Sequence, residues 1–190
     1  MAPTSLRGYV VQEEVKEGSI GTVYRVTDSR NRTLALKQIS AGNAVQPRKR
    51  REFRKEYEIQ KRLDHPAIVK VFDYVEMAPQ DFFTMEYFES ESLKVTMFHL
   101  PERIRKREFR LLRRLAEALE HVHSKGIIHK DIKPENVLVD AKGDIRLIDF
   151  SLGQTRWDRW LQFGKRVEGT PLYMAPEQIR GGRCDERTDI

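Results

Sequence analysis

A single cysteine, Cys184, in 190 residues excludes an internal disulfide and the stapled frameworks of small secreted domains. The same scarcity, with no paired Cys/His spacing, excludes the usual zinc signatures. No apolar run reaches the length of a membrane span, and residues 1–10 lack the apolar centre of a signal peptide. Together these absences predict a reducing, cytoplasmic setting with no membrane span. No internal repeat or low-complexity tract is present. The length suits one sizeable core or two small lobes, and the balance of 39% hydrophobic and 34% charged residues is that of a globular chain.

Charge is in mild excess: 35 basic against 29 acidic residues give a net +6. That balance suits nucleic acid, an anionic membrane or an acidic substrate. Much of the excess sits in Arg48-Lys49-Arg50-Arg51, Arg54-Lys55 and residues 103–114, on predicted helices. A solvated helix face is the plainer account. Aromatic residues do not interleave with the basic ones as RNA readers require, so no nucleic-acid partner is expected.

Residues 9–39 alternate and break as strands do, with segments 10–11, 23–26 and 34–39 β-like and Asp28-Ser29-Arg30-Asn31 supplying a turn. Residues 48–63 read as a charged helix with Phe53, Ile59 and Leu63 near one stripe. Residues 68–75 and 82–88 read as two more strands. Phe109, Leu112, Leu115, Ala116, Leu119 and Val122 then recur at helical spacing, and Gly126 is placed to end that helix. Segments 137–139 and 145–148 flank Asp140-Ala141-Lys142-Gly143 as a hairpin. Residues 154–169 read as mostly irregular. A strand-rich part thus precedes a helical part from about residue 90, and a cleft between the two is the expected ligand site.

The glycines of Gly18-Ser19-Ile20-Gly21 read either as plain turn residues or as a hairpin that lets backbone amides approach an anion. A strand follows them, which argues against both the Rossmann and the Walker loop. Ala35 and Lys37 share a strand face. If it lines the cleft, Ala35 admits a flat base and Lys37 offers an ammonium to phosphate. Glu56 falls on the apolar stripe of its helix, where an inward carboxylate needs a cation, and Lys37 is the natural candidate. The most informative segment is Ile128-His129-Lys130-Asp131-Ile132-Lys133-Pro134-Glu135-Asn136, followed by Leu147-Ile148-Asp149-Phe150. An antiparallel hairpin brings Asn136 and Asp149 out at one end, with Asp131 and Lys133 just before. Two carboxylates, an amide oxygen and an ammonium converge there, an oxygen set suited to Mg²⁺ beside a phosphate.

At these residues the chain resembles the protein kinases, of Ser/Thr type, over about residues 9–190. The resemblance rests on Gly18, Gly21 and Val23, on Lys37 and Glu56, on residues 129–136, on Asp149-Phe150 and on Ala175-Pro176-Glu177. Lys133 with Gly169-Thr170-Pro171-Leu172-Tyr173 marks the Ser/Thr subgroup. It implies an α+β two-lobed fold, with a five-stranded sheet and helix at about 9–88 and a mainly helical lobe at about 89–190. It also implies ATP and Mg²⁺ as cofactors and a protein bearing Ser or Thr as substrate. Asp131 would orient or accept the hydroxyl proton, Lys133 would neutralise the moving phosphoryl, and Asn136 and Asp149 would hold Mg²⁺. Lys37, set by Glu56, would grip phosphates. Val15, Gly18, Gly21, Val23, Ala35 and Leu138 would line the nucleotide, with Met85 as gatekeeper and backbone groups of Glu86 and Phe88 on adenine.

Several positions depart from the family's pattern. Lys16 replaces the first loop glycine, Ser151 follows Asp149-Phe150 where glycine is usual, and Gln60 replaces an apolar residue and is expected to snorkel or bond the backbone. Lys130 replaces the arginine that grips a phosphorylated loop, and Thr155 is the sole hydroxyl between Gln154 and Gly169. Residues 188–190 resemble the start of a long central helix. The resemblance therefore implies an incomplete second lobe, Glu177 without its arginine partner, and an apolar stripe covered by a second copy or another partner. A pseudokinase or binding module, a small-molecule kinase and a nucleic-acid binder are the competing readings.

Overall fold

The computed structural model describes residues 5–77, 80–156, 158 and 169–190. Two compact units divide the chain: Met1–Lys61 with Lys70–Phe88, and Arg62–Val69 with Glu89–Ile190. Residues 62–69 thus leave the unbroken 9–88 segment expected from sequence.

The first unit is an antiparallel sheet carrying two helices. Its elements are β1 (Ser5–Leu6), β2 (Tyr9–Glu17), β3 (Gly21–Thr27), β4 (Thr33–Ile39), α1 (Ala41–Ala44), α2 (Pro47–Gln60), β5 (Val71–Val75) and β6 (Phe82–Glu86), with sheet order β1-β2-β3-β4-β6-β5. The five expected strands are joined by a sixth. Arg7 and Gly8, at φ 42° and 90°, form a two-residue turn whose twist suits a hairpin, so Leu6 pairs with Tyr9. Period-two alternation along β4 separates two clusters. Leu34 and Leu36 pack with Leu6, Tyr24, Val26 and Phe82 on one face; Ile39 packs with Phe83, Val71 and the α2 residues Phe53 and Tyr57 on the other.

Helix α2 begins on Pro47, whose missing N–H costs nothing at a first-turn position. It ends at Gln60, short of the expected residue 63. Leu63 is buried beyond the helix. The basic run on α2 is engaged by acidic neighbours: Arg48 and Lys49 by Glu52, Arg50 by Asp81, Arg54 by Glu76. Asp81, 3% exposed, accepts Arg50 Nη2 at 2.8 and 2.9 Å, the Tyr74 hydroxyl at 3.0 Å and the Met77 N–H at 3.1 Å. Burial alone would raise its carboxyl, but the hydrogen bonds from Arg50, Tyr74 and Met77 outweigh burial and hold it below the usual range.

The second unit contains β7 (Glu91–Ser92), α3 (Leu93–His99), α4 (Pro101–Arg105), α5 (Glu108–Ser124), β8 (Ile127–Ile128), β9 (Val137–Val139), β10 (Ile145–Leu147), β11 (Gln154–Thr155) and α6 (Pro176–Ile179). Its sheets run β10-β9-β7 and β11-β8. The strand expected over 68–75 is split. Leu147 bonds Ala67 and Val69 at 2.8 and 3.1 Å, which draws Ile68 to β10 and leaves only Val71–Val75 for the first sheet. Of the stripe expected on α5 only Val122 is buried; Phe109, Leu112 and Ala116 are exposed, and the buried face runs instead through Leu111, Ala118 and Val122. Gly126, at φ 70°, follows its C-terminus. Of the irregular stretch expected over 154–169, residues 157 and 159–168 lie outside the described residues.

Replacing Arg50 by Met should destabilise the first unit by about 1.5–3 kcal/mol at neutral pH, since hydrogen bonds to a buried charge are lost. The depressed Asp81 carboxyl contributes stability above its unfolded pKa and loses it as pH falls through the folded value. Denaturant unfolding should therefore show the gap between wild type and variant closing in acid. A gap independent of pH would refute the assignment.

Candidate active site

In the first unit, the glycine-bearing turn joins β2 to β3, and the Gly18 N–H donates to the Gly21 carbonyl at 2.9 Å. A methyl group on Gly21 would lie 2.1 Å from the Gln38 carbonyl oxygen, so only glycine fits there. Lys16 pairs with Val23 across the strands, and Val15 is half exposed. Lys37 sits between Val23 on β3 and Phe83 on β6. Its ammonium donates to Glu56 Oε1 at 2.5 Å, with the Glu56 side chain 2% exposed. The inward carboxylate has the cation that its helix position required. Ala35 is buried and registers with Met85. The Glu86 N–H is committed to the Lys70 carbonyl at 2.8 Å, and Phe88 lies two residues past β6. Gln60, expected to snorkel or bond the backbone, is buried at 2% exposure, one helical turn beyond the buried Glu56 on α2.

In the second unit, residues 129–136 are fixed from several sides. Asp189 accepts the His129 and Lys130 N–H groups at 2.8 and 2.7 Å and contacts His123 Nε2 at 2.8 Å. Lys130 is buried at φ 70°, and its carbonyl accepts Gln178 Nε2 from α6 at 2.9 Å. The His129 ring donates from Nε2 to the Ile148 carbonyl, which leaves Nδ1 to accept the Asp131 N–H at 3.2 Å.

Asp131 gathers the remaining polar groups. Its Oδ2 accepts Lys133 Nζ at 2.6 Å and Asn136 Nδ2 at 3.0 Å; its Oδ1 accepts the Thr170 hydroxyl at 2.9 Å. Lys133 also donates to the Thr170 oxygen at 2.7 Å. An alcohol oxygen therefore lies between a carboxylate and an ammonium. The hairpin register, with the Ile148 N–H on the Asn136 carbonyl at 3.0 Å, brings Asn136 and Asp149 to one end as the spacing required. Asp149 takes φ 67°, and Phe150 is buried with its ring centre 4.6 Å from that of His129. Leu138, half-buried, pairs with Arg146 and Ser92. Among the described residues no group of three or more His, Cys, Asp or Glu could hold a metal alone. A cation at Asn136 and Asp149 would complete its shell with water and phosphate oxygens, which is how Mg²⁺ binds. With Asn136 Nδ2 turned to Asp131, the amide oxygen is the atom left for a cation.

Two features were not read from sequence. A cavity of about 440 Å³ is lined by Lys94, Met97, Phe98, Pro134 and Tyr173. Beside it the Lys94 ammonium, 2.6 Å away, holds the Glu135 carboxyl below its usual range. The cavity joins three distant segments, and no periodicity announces it. Glu177, expected to be without its arginine partner, accepts the Thr188 hydroxyl at 2.6 Å from the 3₁₀ turn at residues 186–189.

The sequence matches the protein kinase domain family over residues 9–190. The chain belongs to the protein kinase family. Its relatives include the probable serine/threonine-protein kinase SCO3848 of Streptomyces coelicolor, 31% identical over 99% of this chain and 29% of the relative. PknL of Mycobacterium tuberculosis is 32% identical over 96% of this chain and 46% of its own length. PrkC of Bacillus subtilis is 30% identical over 96% and 28%. All three are named as serine/threonine-protein kinases. The chain spans less than half the length of each of these relatives.

Asp189→Asn should expose how firmly this kinase loop is held. An amide in place of the carboxylate turns an NH₂ toward a backbone N–H and leaves a buried donor unmet, at a cost of about 1–3 kcal/mol. Hydrogen exchange at His129 and Lys130 should accelerate and the unfolding midpoint should fall. Unchanged protection at both amides would show that the loop is held by other contacts.

Proposed function

We propose that the chain carries the catalytic machinery of an ATP-dependent serine/threonine protein kinase working in the cytoplasm. The observation that carries this reading is the Thr170 hydroxyl, held at 2.9 Å from Asp131 and 2.7 Å from Lys133. A substrate hydroxyl placed likewise would give its proton to Asp131 as its oxygen attacks the γ-phosphorus of ATP, releasing ADP. Lys133 would offset the negative charge on the transferring group. Lys37, oriented by Glu56, would hold the nucleotide's phosphates. Asn136 and Asp149 would hold Mg²⁺, which when bound neutralises phosphate charge. The cavity near Pro134 and Tyr173 supports a protein over a small-molecule acceptor. It begins one residue past Lys133 and three past Thr170, where a peptide laid on Asp131 would continue. No helix among the described residues is long and apolar enough to cross a membrane.

The reading is tested with the complete protein and a mixed Ser/Thr peptide library. Asp131→Asn should lower kcat by about 10²–10⁴-fold while changing nucleotide affinity little, because its role lies in the transition state. Lys37→Met should abolish transfer and weaken ATP binding. Turnover unchanged in either variant would defeat its assigned role. ATP binding without turnover in the wild type would favour a binding module instead.

Activity should not require phosphorylation within residues 154–169. Lys130 cannot form the bidentate fork of an arginine. The one hydroxyl, Thr155, is engaged as a local cap: its Oγ1 donates to Asp158 at 2.9 Å, and its N–H donates to the same oxygen at 2.8 Å. Phosphatase treatment should leave the rate intact. A large loss, restored by phosphate on Thr155, would contradict this.

A further inference from the structure

One side chain outside every signature of the family holds the glycine-bearing turn. Asn43 lies on α1, the single helical turn between β4 and α2. Its Nδ2 is 2.8 Å from the Ser19 carbonyl oxygen, 3.1 Å from that of Ile20 and 2.9 Å from Ser40 Oγ. The Ile20 carbonyl is held a second time, by the Ser40 N–H at 3.0 Å.

Helix α1 is itself fixed. Ala44, 6% exposed, sits in the cluster of Ile39, Phe53, Tyr57, Val71 and Phe83, and the Ile20 side chain packs against the same cluster. Asn43 therefore reaches the turn from a rigid base, and the turn's tip is anchored by both its backbone and its apolar side chain.

The direction of these bonds matters for an anion. In a trans peptide the carbonyl and the following N–H point oppositely. Drawing the Ser19 and Ile20 carbonyls toward α1 turns the Ile20 and Gly21 N–H groups to the other side of their peptide planes. An anion arriving on that side meets donors and not carbonyl oxygens.

We propose that Asn43 is a positioning residue for the phosphates of the bound nucleotide, acting by locking the carbonyls of Ser19 and Ile20 away from them. The proposal rests on the nucleotide reading above. It also supplies what the turn lacks in glycine: Lys16 stands at the loop's first glycine position, and an external clamp takes over the shaping of the backbone.

The test compares ligands that differ only in phosphate. ATP, ADP and adenosine are titrated calorimetrically against the complete protein, with Mg²⁺ present, as wild type, Asn43→Ala and Asn43→Asp. Asn43→Ala should weaken ATP and ADP about three- to tenfold, the loss of one or two hydrogen bonds, and leave adenosine within about twofold. Asn43→Asp should lose more, since a carboxylate would face two carbonyl oxygens. Asn43 is half-buried, so the alanine variant should fold; Asn43→Ser gives the same comparison if it does not. Equal losses for ATP and adenosine, or no loss for ATP, would overturn the role of Asn43. A wild type that binds adenosine as tightly as ATP would overturn the nucleotide-phosphate reading itself, and does so before any variant is compared.

Discussion

The side chain of Asp189 has no solvent exposure, yet it is a carboxyl group, among the costliest side chains to bury. A carboxylate in that position must be met by donors, and the second unit supplies two backbone N–H groups and an imidazole. The consequence runs outward. Fixing the N–H groups of His129 and Lys130 holds Lys130 in a left-handed conformation that a lysine rarely adopts. That bend turns the chain so that Asp131 meets Lys133, Asn136 and Thr170 together. The chemistry attributed to Asp131 thus depends on a residue that touches none of the reacting groups.

The first unit solves a similar problem by pairing. Glu56 lies on the buried side of α2, where an apolar residue would pack more cheaply, and Lys37 reaches it from the sheet. The helix is held to the sheet at separate points along its length: Phe53 and Tyr57 in the core, Arg50 on Asp81, and the Tyr57 hydroxyl on the Phe72 carbonyl. Several attachments restrain rotation of the helix about its axis better than one apolar stripe does. They keep the Glu56 carboxylate aimed at Lys37.

What could be read from sequence was what the chain keeps local or periodic. The run from His129 to Asn136 and the short hairpin after it place Asp131, Lys133, Asn136 and Asp149 by adjacency and strand register. Glu56 was legible because a charge on an apolar stripe demands an explanation. Contacts between distant segments that no misplaced charge announces were not legible. Asn43 meets Ser19 across 24 positions and Arg50 meets Asp81 across 31, and neither pair leaves a periodic trace. Residues 68–75 mislead for a related reason: an apolar run shows that it will be buried, not by which sheet. The exposure of Phe109 and Leu112 likewise lay beyond the helical period, which gives spacing but not neighbours.

Gly21 and Gly42 are close in the chain but differ in their tolerance of change. A methyl group at Gly21 would collide with the main chain at Gln38, which is ladder backbone and cannot step aside. One at Gly42 would meet nothing within 4 Å. In a library of random variants under selection for folding, Gly21 would stay fixed while Gly42 drifted. The difference between an invariant glycine and a free one is set here by the backbone oxygen of a neighbouring strand.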